Sequence, residues 1–146
     1  IFFLFKNWKK KKIIDDLIVL LPTSPLRKSQ NIDEAIKLYY KNKISSLIGV
    51  KEIDFPIEWV KILEKYRGKF VIRNVSQKNN LNRQKYNKYF IPNGSIYIFN
   101  ISKLLKYKKY YYKDTMPYIM NKENSIDIDD KLDFEIAEFL MKKGLY

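Results

Sequence analysis

Two hydrophobic periods alternate along this chain. Leu17-Ile18-Val19-Leu20-Leu21 is a continuous apolar run stopped by Pro22, the pattern of a strand buried on both faces of a parallel sheet. A loop follows from Pro22 to Arg27. Asn31 with Glu34 three positions on reads as a helix start with a capping box, and Ile32, Ala35, Ile36 and Tyr39 then share one helical face until the pattern fades near Asn42. Residues 45–50 predict a second strand. Residues 51–89 are less regular, holding Pro56, Trp59, Gly68 and an Asn-rich stretch at 78–82, and read as an insertion. Asn93-Gly94-Ser95-Ile96-Tyr97-Ile98-Phe99 restores a strand after a turn, and residues 101–105 predict a short helix. Near the end, Asp130 is placed to cap a helix with Asp133 in its first turn. Phe134, Ala137, Leu140 and Met141 form its apolar stripe, and Gly144 is its stop. Strands and helices in turn imply an α/β fold.

Composition narrows the chemistry. A chain of 146 residues that is 46% hydrophobic can bury the core of one domain, so residues 1–146 are read as a single domain. It has neither cysteine nor histidine, which removes disulfides, thiolate and imidazole metal sites, cysteine nucleophiles and histidine triads together. Carboxylates, Arg, Lys and Tyr are left to carry any reaction. The opening run Ile1-Phe2-Phe3-Leu4-Phe5 is too short to span a bilayer, and the positive charge follows it at Lys6 and Lys9 to Lys12, the reverse of a signal peptide. A cytoplasmic protein with no membrane partner is expected.

The formal charge of +13 invites a nucleic-acid reading. Against it, Arg occurs only at positions 27, 67, 73 and 83, and the rest of the 29 basic residues are Lys; Arg is the residue that forks phosphate and reads bases. Abundant Lys, Ile, Asn and Tyr together are what an A/T-rich coding sequence produces. Nucleic acid is therefore not expected as a partner, and a basic nucleic-acid-binding module stays as a lesser alternative.

The acidic residues offer a sharper candidate. In Ser125-Ile126-Asp127-Ile128-Asp129-Asp130 the carboxylates of Asp127 and Asp129 alternate with isoleucines. In an extended chain such residues lie on one side, about 6–7 Å apart, and could face one hard cation such as Mg²⁺ serving phosphate chemistry at a strand end. The alternative is a solvated turn whose acids cap the next helix.

Taken in order, Leu20-Leu21-Pro22-Thr23-Ser24-Pro25-Leu26-Arg27, Arg83-Gln84, Asn93-Gly94-Ser95-Ile96-Tyr97 and the stretch from Ser125 to Asp129 resemble the cytidylyltransferases that activate sialic acid and related nonulosonic acids. The resemblance implies part of a doubly wound, mostly parallel, Rossmann-like nucleotidyltransferase sheet, with residues 51–89 as a dimerisation insertion. It also implies the transfer of CMP from CTP to the anomeric hydroxyl of a sugar acid, with release of pyrophosphate. Asp127 and Asp129 match the catalytic Mg²⁺ carboxylates. Arg27, Arg83, Asn93, Tyr97, Tyr110 and Tyr111 match substrate-binding positions, the tyrosines where the family reaches a neighbouring subunit's site. A homodimer is implied, with Trp59 as an apolar anchor.

Two departures stand beside the matches. Leu21 occupies the place of a Gln that contacts substrate in the family. No Gly-rich phosphate loop precedes Leu17, and the four glycines, at 49, 68, 94 and 144, are not clustered. The expectation is that the N-terminal phosphate-loop unit is missing and that the chain is a C-terminal portion, inactive alone. A non-catalytic fragment or partner subunit is the alternative.

Overall fold

Leu47, Ile96 and Ile98 are almost fully buried, and they come from the two runs that the sequence marks as strands. The computed structural model describes residues 14–75 and 88–146. They form two compact units, one built from both ends of the chain and the other spanning Glu52–Ile91.

The first unit is organised on a four-stranded sheet. Its strands are β1 (Asp16–Val19), β2 (Ser46–Glu52), β5 (Phe90–Asn100) and β6 (Met116–Ile119), in the spatial order β1-β5-β2-β6. β1 runs antiparallel to β5, with Val19 opposite Tyr97, whereas β2 and β6 are parallel, with Gly49 opposite Tyr118. The sheet is thus mixed and partly parallel. The first apolar run also departs from its pattern, for β1 lies at the end of the strand order and Ile18 and Leu20 are each 38% exposed. No strand lies beyond β1 among the described residues, so an unbroken apolar run is left covered on one flank.

Helix α1 (Ser29–Asn42) lays Ala35 and Tyr39 on the core beside Leu47, Ile96, Ile98, Tyr118 and Met120. It begins before the predicted Asn31 because Asn31 Oδ1 accepts the backbone N–H of Lys28 at 2.9 Å, which puts Asn31 in the first turn rather than at the cap. Glu34, expected to close a capping box, instead accepts the Tyr118 hydroxyl at 2.7 Å. The far end of α1 is tied to β1 by Tyr39 and Tyr40, whose hydroxyls donate to the two oxygens of Asp16 at 2.7 and 3.1 Å. Burial first, and the Asp16 hydrogen bond next, hold the Tyr39 proton well above the usual phenol range.

Two further helices follow their sequence signals. α2 (Ile101–Tyr107) is capped by the side chain of Asn100. α3 (Lys131–Lys143) has a reciprocal Asp130–Asp133 capping box and ends on Gly144 at φ 65°. Its stripe is buried at Ala137 and half-buried at Leu140, with Phe134 55% and Met141 49% exposed. No helix among the described residues is long and apolar enough to cross a membrane.

The second unit contains a hairpin that the hydrophobic pattern does not announce, β3 (Lys61–Tyr66) paired antiparallel with β4 (Lys69–Asn74). Arg67 and Gly68 turn it with φ of 47° and 76°, the positive pair of a type I′ turn. Cross-strand neighbours Leu63 and Ile72, with Phe70 near them, are 70%, 68% and 76% exposed.

In the first unit, the segment after α2 is pinned to the start of β2. Asp114 Oδ2 accepts both the backbone N–H and the hydroxyl of Ser45, at 3.0 and 2.5 Å, and Lys103 lies 3.7 Å away. The Ser45 hydroxyl bond, above all, lowers the Asp114 pKa. A lowered folded pKa adds stability above the unfolded carboxylate value, near 3.9, and that contribution disappears as pH falls through the folded value. Asp114→Asn is therefore expected to lower the melting temperature at pH 7, with the gap to the parent narrowing as pH falls below the unfolded carboxylate value; a gap of equal size at neutral and strongly acidic pH would contradict this role.

Candidate active site

Three of the four ordered motifs meet in space. Arg27 donates to the Ser95 carbonyl at 2.7 Å and to the Leu21 carbonyl at 3.2 Å. The Ile128 N–H donates to the Thr23 carbonyl at 2.8 Å, and the Asn124 amide to the Leu26 carbonyl at 2.8 Å. Asn93 Nδ2 reaches the Ser125 hydroxyl at 2.9 Å. The loop after β1, the middle of β5 and the segment before α3 are thereby stitched into one constellation. Arg83, from the fourth motif, lies outside the described residues.

Glycines make the close approaches possible. A Cβ on Gly49 would lie 2.8 Å from Asn93 Oδ1, so the Asn93 amide rests directly on β2. Gly94, at φ 75°, is where β5 passes Asp127, and a Cβ there would lie 2.9 Å from Asp127 Oδ2. Asp127 consequently faces the β5 backbone. Its Oδ1 is buried with no hydrogen-bond partner among the described residues, a costly arrangement for a carboxylate oxygen unless a cation or donor meets it.

The segment carrying Asp127 is not the strand end that the alternation predicts. A 3-10 turn over Glu123–Ser125 precedes it, and residues 126–130 are irregular up to the start of α3. The reason lies in the helix that follows: the backbone N–H groups of Asp129 and Asp130 are both taken by Asp133 Oδ2, at 3.1 and 3.2 Å, which bends the chain into the cap. Asp127 is half-buried and Asp129 exposed. Among the described residues, no group of three or more His, Cys, Asp or Glu side chains gathers as a metal site. An orphaned carboxylate oxygen nevertheless suits a hard divalent cation, which the substrate's own oxygens and water would help to coordinate.

An apolar cavity of about 310 Å³ is walled by Val19 and Leu21, by Pro92, Tyr97 and Phe99 of β5, and by Tyr110 and Tyr111. Tyr97 links it to Asp127. Its phenol pKa is raised by burial first, then by Tyr111 and the Asp127 charge, so it stands as a neutral donor. Phe99 packs on Tyr110 with ring centres 5.5 Å apart. Tyr110 and Tyr111 therefore line a cavity of their own chain.

Asn93 and Arg27, two of the expected site residues, also bond within the chain. Asn93 is 2% exposed, its amide spent on Ser125 and Met120 and its oxygen on the Ser95 N–H. Arg27 is occupied by the two carbonyls, and burial lowers its pKa. The pattern of residues also passes over Gly49, Lys51 and Asn124, each of which binds the constellation. Gly49 and Lys51, two apart at the end of an apolar run, were the available signal.

The chain is also similar to known proteins. No protein-family model matches the chain. Over 134 residues it is 34% identical to an N-acylneuraminate cytidylyltransferase of Escherichia coli, covering 88% of this chain and 30% of that protein. Over 140 residues it is 30% identical to a CMP-N,N'-diacetyllegionaminic acid synthase of Legionella pneumophila, covering 95% and 59%. It is also 35% identical over 130 residues to a post-translational flagellin modification protein B of Campylobacter coli, covering 88% and 54%. The chain thus spans roughly three-tenths to six-tenths of the length of these relatives.

Proposed function

We propose that this relative of the acylneuraminate and diacetyllegionaminic acid cytidylyltransferases serves the same class of reaction, transfer of CMP from CTP to the anomeric hydroxyl of a sialic-type sugar acid with release of pyrophosphate. The observation that carries the reading is the convergence of Gly94, Tyr97 and Asp127 at an unpartnered carboxylate oxygen, in a chain similar to such enzymes over most of its length.

In this reading Asp127, with Asp129 two residues on, holds a divalent cation, Mg²⁺ by the hardness of its ligands. When bound, that ion supplies charge stabilisation for the nucleotide phosphates. The chain's own residues do the positioning. Gly94 admits Asp127 to the β5 backbone, and Asn93 and Arg27 hold that strand and the loop after β1 in register. Tyr97 offers its hydroxyl to the sugar at the edge of the apolar cavity, where Leu21 presents methyl groups that favour an apolar substituent over a hydroxyl. Arg83 remains the proposed partner of the sugar carboxylate, suited by its bidentate fork. A Rossmann-like arrangement of the whole enzyme and a cytoplasmic setting belong to the same proposal.

Self-association is part of it as well. The uncovered Leu63, Phe70 and Ile72 of the hairpin, with Trp59 50% exposed, are the apolar surface that a second copy would cover.

The protein as its gene encodes it, given CTP, N-acetylneuraminate or N,N'-diacetyllegionaminate and Mg²⁺, is expected to release pyrophosphate only when the sugar acid is present. Sugar-independent release, or none with any nonulosonic acid, would contradict the proposal.

A further inference from the structure

Gly49 and Lys51 lie two apart in β2, so they share one face of the sheet. On that face the missing Gly49 side chain lets Asn93 lie against the strand, and Asn93 in turn holds the Ser125 hydroxyl. Lys51 reaches the same residue, its Nζ donating to the Ser125 carbonyl at 3.3 Å. Ser125 is fully buried and Asp127 follows it by two residues. One half-buried ammonium is therefore anchored at the base of the segment that carries the unpartnered carboxylate.

The bond to Ser125 fixes where the ammonium stands without neutralising it. A carbonyl takes one of the three donors that an ammonium has, and leaves the charge unpaired. Holding a long lysine side chain over a buried turn costs rotamer entropy, and one bond of 3.3 Å to a carbonyl is weak compensation. A charge-assisted bond to an anionic oxygen would supply more. The other described cation of the constellation, Arg27, turns one nitrogen, Nη1, onto the Ser95 and Leu21 carbonyls, away from Ser125.

We infer that Lys51 is a substrate-binding residue that grips an anionic oxygen group, either the carboxylate of the sugar acid or a phosphate of the nucleotide, beside the cation held by Asp127. The inference rests on the function proposed above but names a contact that the sequence motifs do not mark. Lys51 works there as a point charge with free donors, so arginine can substitute in part and methionine, similar in length and uncharged, cannot.

The test is calorimetric titration of the parent, Lys51→Met and Lys51→Arg proteins, as the gene encodes them, with N-acetylneuraminate and separately with CTP in Mg²⁺, alongside melting curves. The expected result is that Lys51→Met weakens one of the two ligands about 10- to 100-fold and the other less than twofold, at an unchanged melting temperature. Lys51→Arg should recover most of the loss. Loss for N-acetylneuraminate identifies the carboxylate, and loss for CTP the phosphate. Equal binding of both ligands by parent and Lys51→Met overturns the role of Lys51 while leaving the proposed function standing. Equal weakening of both ligands by both variants with a lowered melting temperature reduces Lys51 to a structural tie on Ser125, and overturns it likewise. Lysine-dependent binding of either ligand without any CMP-sugar formed would sink the function and keep the anion site, and a parent that binds neither ligand overturns both.

Discussion

Asp127→Asn is expected to cut CMP transfer by about 100-fold or more, the scale of losing one preorganised electrostatic group, while leaving the melting temperature of the metal-free protein equal to or above that of the parent. Both halves come from the same atom. Asp127 Oδ1 is buried with no hydrogen-bond partner among the described residues, and a buried polar oxygen left without a donor or cation adds nothing to the stability of the metal-free fold. The amide keeps the shape and removes the carboxylate charge, and with it the ability to hold a hard cation. A site kept at the expense of stability is the usual mark of function. Steady-state rates in Mg²⁺ and melts in a chelator measure the two sides; near-normal turnover would remove Asp127 from the site, and a large drop in melting temperature would make it a structural residue.

Gly94→Ala should be the most damaging single-methyl change in the site. At φ 75° an alanine pays the left-handed backbone cost, about 1–2 kcal/mol, and its Cβ would meet Asp127 Oδ2 at 2.9 Å. Gly68, at φ 76° with nothing within 4 Å of its would-be Cβ, provides the control. Gly68→Ala carries the backbone cost alone, so the excess at Gly94 isolates the collision. The double variant Gly94→Ala with Asp127→Ala should fall back to about the cost of Gly68→Ala once the effect of Asp127→Ala alone is subtracted. Denaturant titrations of the four variants provide these values. Equal costs for Gly94→Ala and Gly68→Ala would show that Asp127 does not press on β5.

How much of this was legible in the sequence depends on where local signals decide the outcome. The strand through Asn93 to Phe99 was legible because burial and turn chemistry agree there, Gly94 supplying the positive φ and Ile96 and Ile98 the core. The last helix was legible at both ends, since Asp130, Asp133 and Gly144 each act within their own turn. The first apolar run misleads because continuity of apolar residues reports potential for burial, while the cover comes from strands elsewhere. Asp127 and Asp129 alternate as in a strand, yet Asp133 captures the backbone of residues 129 and 130 and bends the segment. Periodicity cannot see a cap that reaches back four residues. The hairpin over residues 61–74 escaped because its polar and apolar residues alternate only weakly. Its one firm signal, Arg67-Gly68, is a less common type I′ pair than Asn-Gly.

For the site, residue type points to Asn93 and Arg27 as ligand contacts, and what type cannot give is their internal partners: the Asn93 amide bonds Ser125, and Arg27 Nη1 bonds the Ser95 and Leu21 carbonyls. Lys51 carried only the faint signal of its spacing from Gly49, because its partner, Ser125, lies 74 residues away.

The most direct measurement is the fate of the α-phosphate. The protein as its gene encodes it would be incubated with CTP labelled at the α-phosphorus, Mg²⁺ and N-acetylneuraminate or N,N'-diacetyllegionaminate, and the products separated. The account predicts label in a CMP-sugar, formed one-for-one with unlabelled pyrophosphate and abolished by Asp127→Asn. Label remaining in CTP with every nonulosonic acid offered, or CMP-sugar formed undiminished by Asp127→Asn, would contradict it.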